Sequence, residues 1–204
     1  MAFTDFKSPA EVQTAYHITA CEEHFIHIIP KAPSKSFLEE FKFTTTYFDV
    51  FSSEASRCEN VIYPLLRDAC RHVVSNYSRW SHKSIAADGT LSGTPDYIIA
   101  TRSNLGKNVF GFPLVLVVEA KQNDFTKGWG QCLAELVAAQ KLNEQPSYPV
   151  YGIVTDGELW QFGRLHDTQF TREVTRATID DMEKVFGTIS AVIQLVTKSR
   201  GQST

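Results

Sequence analysis

A chain of 204 residues, 43% hydrophobic and 21% charged, carries enough apolar matter for one filled core and a single domain. Its net charge of −3 excludes bulk electrostatic attraction to nucleic acid or membrane as a property of the whole molecule. The charge is uneven, because residues 61–130 carry eight bases and five acids while the segments on either side are net acidic. A positive middle third suits a polyanionic partner. Four cysteines, at positions 21, 58, 70 and 132, form no CxxC pair and no disulfide-like framework. Neither a signal peptide nor an apolar run of the ~20 residues a membrane helix needs is visible. The expectation is a cytoplasmic protein with reduced thiols and no membrane contact.

In chain order, residues 1–52 read as a helical and extended elaboration packed on the core that follows. Ser8-Pro9-Ala10-Glu11 is a helix start, with a capping serine, a first-turn proline and an acid three residues after the serine. Pro30 and Pro33 break the chain, and Thr44-Thr45-Thr46-Tyr47 favours extended structure. Cys21, His24 and His27 have zinc-ligand chemistry, but the spacing supplies three ligands and no fourth. Histidines on a partly exposed face are the simpler expectation.

Residues 53–177 form the core. Cys58, Ile62, Leu65, Ala69 and Val73 share one stripe of a helix over 53–75, with Ser53 as its cap and Pro64 as a bend. Glu54 suits the helix dipole at the first turn, whereas Glu59 sits beyond that turn beside buried positions. Strands are predicted over 79–86 and 91–101, joined by an Asp88-Gly89 turn, followed by an irregular segment over 102–113. Val115 to Val118 is an unbroken, β-branched apolar run, the pattern of a strand buried on both faces. Yet it runs into Glu119 and Lys121, which the two-residue period of a strand points to one side.

Asp96 follows a proline able to open a strand but not to occupy its centre. If that strand pairs with the Val115 run, three charged groups converge at a strand end. That is the layout of a metal-ion site with an attendant lysine, and it is costly without a purpose. A helix over 126–143 places Gln131 and Glu135 on one face, one turn apart. Strands over 148–155 and 159–165 flank a two-residue Asp156-Gly157 turn. Thr178-Ile179-Asp180-Asp181 resembles a capping box that opens a C-terminal amphipathic helix over 178–204, in the same domain.

This order of elements, with Gly93-Thr94-Pro95-Asp96 on one strand and Glu119-Ala120-Lys121 on the next, resembles the PD-(D/E)XK nuclease superfamily. The hairpin from Tyr151 to Phe162 looks like that of its type I restriction-subunit-like members. The resemblance implies an α/β restriction-endonuclease-like core, a central mixed β-sheet flanked by helices. It implies a Mg²⁺-dependent nuclease acting on DNA, with Mn²⁺ as a substitute. Asp96, Glu119, the backbone carbonyl of Ala120 and a helix acid would hold the ion. Glu59 matches the helix acid and Glu54 is the fallback. Lys121 would orient water or offset developing charge, and Gln131 resembles a glutamine that contacts substrate or lysine. Lys83, Arg102 and Lys127 are the expected substrate cations, joined by Arg79 and Lys107 in a groove shared by a homodimer. The alternative is a catalytically silent nucleic-acid-binding or regulatory module of the same fold, with Glu119 and Lys121 a simple salt bridge.

Overall fold

The computed structural model describes residues 1–201 apart from 88, 90, 122 and 144–147, with side chains as far as residue 197. The protein is α/β, with a large mixed central sheet flanked by helices. The sheet takes the order β1 (Thr19–Glu23), β9 (Gln169–Glu173), β8 (Leu159–His166), β7 (Val150–Thr155), β6 (Leu114–Ala120), β5 (Tyr97–Thr101) and β2 (Tyr77–Ser81). The short β10 (Ala177–Thr178) pairs with β8. The pairs β6–β7 and β1–β9 are parallel and the remaining pairs antiparallel. Every residue of β6 is buried, as its continuous apolar run requires of a strand covered on both faces.

Alternation along the strands divides the core into two halves. On one face Ile99, Leu116, Val118 and Ile153 meet α4 (Tyr63–Ala69) and α6 (Met182–Gly201), with α2 (Lys35–Tyr47) outside. On the other, Ile98, Val117 and Val154 meet α5 (Phe125–Asn143), which packs in turn on α1 (Pro9–Tyr16). A separate hairpin of β3 (Ile85–Ala87) and β4 (Leu91–Gly93) closes that side. Among the described residues no helix is long and apolar enough to cross a membrane.

Several segments differ from the sequence expectation, each for a local reason. Thr44 to Tyr47 is helical, not extended. The Ser34 hydroxyl caps α2 by accepting from Phe37 N–H while donating to buried Asp68, and the hydroxyls of Thr45 and Thr46 bond back to carbonyls four residues earlier. The helix after Ser53 is composite: α3 (Glu54–Arg57), a π turn over Cys58–Ile62, then α4. Pro64 has no N–H to return to the preceding turn, and Tyr63 N–H reaches back five residues to the Cys58 carbonyl.

The strand expected over 79–86 is two, β2 and β3, parted by His82 in a left-handed conformation with φ 49°. That expected over 91–101 is likewise two, β4 and β5, parted by Thr94-Pro95. Asp88, the first half of the anticipated turn, lies outside the described residues. The loop between β7 and β8 is three residues, 156–158, with Gly157 at φ 87° and Asp156 Oδ1 accepting from the N–H groups of Glu158 and Leu159.

The sheet also recruits a strand that the sequence did not reveal. β1 joins β9, and buried Glu173 at its end accepts from the backbone N–H groups of Phe25, Ile26 and Thr175. Burial works against its charged form, but these donors and His24 outweigh it and hold the carboxyl below the usual range. A depressed carboxyl stabilises the fold fully above its unfolded value and stops doing so as pH falls through the folded value. Glu173→Ala is therefore expected to cost about 2–3 kcal/mol at pH 7 in urea unfolding, with the difference shrinking in acid. An equal cost at pH 7 and pH 3 would contradict this.

Cys21, His24 and His27 do not come together. The Cys21 thiol touches Glu23 and Thr171, His24 sits on Glu173, and His27 lines a surface hollow with Lys31 and Gln194.

Candidate active site

The site forms where β6 ends and β5 begins. These strands run antiparallel with Tyr97 opposite Val118, so Asp96 is delivered beside Glu119. The contact is direct: Asp96 Oδ2 accepts from the N–H of Ala120 at 2.8 Å. Strand alternation then places Glu119 and Lys121 together on the α5 side, with Lys121 Nζ 2.8 Å from Glu119 Oε1. The expected convergence of three charged groups is what the backbone register produces. Space for the lysine stem comes from Gly128 on α5, where a Cβ would lie 3.1 Å from Lys121 Cγ and 2.7 Å from Val154 Cγ1.

Burial makes these charges consequential. The side chain of Glu119 is 3% exposed, that of Lys121 18% and that of Asp96 17%. Desolvation pushes Glu119 above the usual carboxylate range, Asp96 adds to the rise, and Lys121 opposes it. Desolvation likewise raises Asp96, against the Ala120 N–H and Lys121, which favour its charge. Burial alone would lower Lys121, but Glu119, Glu54 and Asp96 together hold its ammonium form above the ordinary value. The centre is short of cations for its carboxylates.

Two further residues join the group, Glu135, read from the sequence only as sharing the Gln131 face, and His82. Glu135 on α5 is buried to 1% exposure and pushed well above the carboxylate range by burial, with Glu119 and Asp96 adding to the effect. Burial favours its neutral form, in which it can donate a hydrogen bond to Glu119. An acid amid Leu133, Leu136 and Val137 on a buried helix face was the available signal. His82 Nε2 lies 3.6 Å from Asp96 Oδ1, placed there by the left-handed turn after β2 and by its own N–H donating to the Asp96 carbonyl. Nothing in the local sequence marks it.

Of the two acids on the helix, the structure brings Glu54 and not Glu59 to Lys121. Both acids are exposed, but Glu54 Oε1 lies 4.0 Å from Lys121 Nζ, whereas Glu59 lines a hollow with Glu40, Tyr63 and Arg67. Helical spacing explains the exchange: Glu54 is one turn before buried Cys58 on the inward stripe, and Glu59 is turned about 100° away from it. Gln131 is buried on α5 one turn before Glu135, and among the described residues neither its Oε1 nor Glu135 Oε2 has a hydrogen-bond partner.

Of the expected substrate cations, Arg102 gathers with Arg79 and Lys107 in a cleft along β2, whose lining does not include Lys83 or Lys127. Lys83 lies over the Trp80 and Phe110 rings, Arg102 donates to the Val74 carbonyl, and Lys127 sits on the first turn of α5, where Asp124 accepts its N–H.

Asp96, Glu119 and Lys121 offer hard oxygen donors and one ammonium at a partly open strand end. No group of three or more His, Cys, Asp or Glu gathers closely enough to hold a metal ion among the described residues. Magnesium asks for less: it keeps several waters and takes one or two carboxylates, with substrate phosphate supplying the rest. The charge imbalance and the orphaned buried oxygens of Gln131 and Glu135 are both consistent with such an ion. No protein-family model matches the chain, and no curated protein is similar to it.

Proposed function

We propose that the protein is a Mg²⁺-dependent nuclease that hydrolyses phosphodiester bonds of DNA, built on a restriction-endonuclease-like core. The observation that carries this reading is the Asp96–Glu119–Lys121 cluster at the paired ends of β5 and β6. The succession α4, β2, β5, β6, α5, β7, with β6 and β7 parallel, supports it. Asp96 and Glu119 would hold the ion, with the carbonyl of Ala120, which lies between Glu119 and Lys121 in sequence. Bound there, it supplies Lewis-acid polarisation of the phosphate and a more acidic water.

The protein's own groups do the remaining work. Lys121 has three N–H donors and a flexible stem, so it can donate to an attacking water while still facing Glu119. As negative charge builds on the phosphorus-bound oxygens, the same ammonium lies within reach to offset it. Glu135, whose neutral form burial favours, would orient that carboxylate by donating to it. Glu54 shares the lysine and keeps it charged. A duplex break needs two such centres, so the working form in this reading is a homodimer.

Plasmid, linear duplex and single-stranded DNA incubated with Mg²⁺ or Mn²⁺ test the reading. Linearised plasmid, together with a dimeric mass by light scattering on a short duplex, is the expected result. No product from any substrate, with metal titration still showing tight Mg²⁺ binding, would refute nuclease activity. No product and no metal binding would instead favour the silent module.

Within an active enzyme, Glu54→Gln is expected to slow cleavage at least tenfold, about 1.4 kcal/mol in the barrier, with Glu59→Gln within twofold of wild type. The opposite ranking in single-turnover rates would return the role to Glu59.

A further inference from the structure

A cleft of about 480 Å³ lies where the first turn of α5 meets the start of β8 and the end of β9. Arg172 and Arg176 line it, and no acid does among the described residues. Neither arginine makes an ion pair there; Glu22, opposite Arg172 on β1, favours its charge without reaching it. Burial holds Arg172 below its ordinary value, and the like charge of Arg176 adds to the effect. Two like charges in one concave wall, with no counter-charge beside them, select an anion.

Arg172 is already built into place. Its Nη2 donates to Gln161 Oε1 at 2.6 Å, and the same oxygen accepts from Trp129 Nε1 at 2.7 Å. The guanidinium lies over the Trp129 ring, 5.1 Å from its centre. Room for the indole comes from Gly163, opposite Arg172, where a Cβ would lie 2.9 Å from the ring. Gln161 is 6% exposed, so the acceptor that holds the arginine is itself fixed. A guanidinium has five N–H donors, so this anchor leaves others to spare and little rotamer freedom to lose on binding.

The first turn of α5 adds neutral donors. Asp124 accepts from the N–H groups of Lys127 and Gly128, which leaves those of Phe125 and Thr126 without an acceptor among the described residues. Two guanidiniums and a helix N-terminus match the charge of a phosphate monoester, about −1.5 to −2 near pH 7, better than the single charge of a carboxylate.

The cleft shares a side of the sheet with the carboxylate centre. Glu119 lies opposite Val154 and Val154 opposite Gln161, so the three form one row across β6, β7 and β8. Val154 and Gln161 both meet α5, as Glu119 does. Two strand spacings put Gln161 about 10 Å from Glu119. We infer that this cleft is a phosphate-monoester site beside the carboxylates, whose occupant is the terminal phosphate of a nucleic-acid strand or free phosphate.

Calorimetric titration in EDTA uses three probes: inorganic phosphate, a ten-residue oligothymidylate with a 5′-phosphate, and the same strand with a 5′-hydroxyl. A preference of at least tenfold for the phosphorylated strand identifies a strand-end site. Saturable binding of inorganic phosphate without that preference identifies a free-phosphate site. In either case Arg176→Gln should weaken binding at least tenfold at an unchanged melting temperature, because that side chain is exposed and makes no hydrogen bond among the described residues. Arg172→Lys, which keeps a charge and loses the planar fork, should weaken it as well. Failure of inorganic phosphate to bind together with equal affinity for the two strands, or binding indifferent to Arg176→Gln, would overturn the inference. EDTA keeps divalent metal from the carboxylates, so the outcome does not depend on nuclease activity.

Discussion

Lys121→Ala is expected to abolish detectable plasmid cleavage, a loss of at least about 10²–10³ in rate, the effect of removing one donor aimed at developing charge. Sequence alone predicts that folding is untouched, because a strand-end lysine contributes little packing. The structure changes that expectation, since Glu119 is 3% exposed and Lys121 Nζ is its cationic neighbour at 2.8 Å. Stripping one partner from a buried pair typically costs ~3–5 kcal/mol. Here the cost should fall below that range, because Glu119 is already pushed toward its protonated form and can neutralise itself. A second substitution separates the two roles: Lys121→Ala with Glu119→Gln should regain most of the lost stability and none of the cleavage. Cleavage by Lys121→Ala at the wild-type rate would refute the role given to the lysine.

How far the fold was legible follows from where its signals lie. The Val115–Val118 run could be read because burial on both faces leaves an uninterrupted apolar pattern, and α5 because its period is long and regular. The convergence of Asp96, Glu119 and Lys121 followed from strand alternation and one assumed pairing, which the β5–β6 register supplies. β1 and β9 were not legible. β1 reads Thr-Ala-Cys-Glu-Glu, without an apolar alternation, and exists because β9 offers it an edge 150 residues away in sequence. The helical run through Thr44–Tyr47 was hidden for a related reason: Phe37 and Phe41 pack on the core and Ser34 is tied to Asp68, which overrides weak local propensity.

The site shows the same division. Strand period brought out Asp96, Glu119 and Lys121, whereas residues set by tertiary placement were missed, as His82 was, or named second, as Glu54 was. His82 reaches Asp96 only because the chain turns through a left-handed residue. Glu54 displaces Glu59 because the helix stripe through Cys58 sets which acid faces inward. The cleft at the β2 edge joins Arg67 and Arg71 from the helical segment to Arg79 from β2 and to Arg102 and Lys107 from the loop after β5. Arg79, Arg102 and Lys107 were expected in one groove from their charge, but no spacing in the sequence brings Arg67 and Arg71 to them.

Asp96→Asn is expected to separate stability from function. Asparagine keeps an oxygen that can accept the Ala120 N–H, so the β5–β6 junction should persist. What disappears is a buried negative charge beside Glu119 and Glu54, which burial and those neighbours already disfavour. A carboxyl whose folded value is raised lowers stability, fully so above the folded value, and that cost shrinks as pH falls from there and is gone below the unfolded value. Without metal, therefore, the variant should melt at or above the wild-type temperature at pH 7. With Mg²⁺ the order should reverse. At a hundredfold excess over its dissociation constant a bound ion stabilises the wild type by about 2.7 kcal/mol, or roughly 5–10 °C for a chain of this size. The variant should show neither that rise nor any cleavage. A metal-induced rise in Asp96→Asn equal to the wild type's would remove Asp96 from the ion's ligands. A large loss of stability without metal would make it a structural residue, with its carboxylate there to hold the turn into β5.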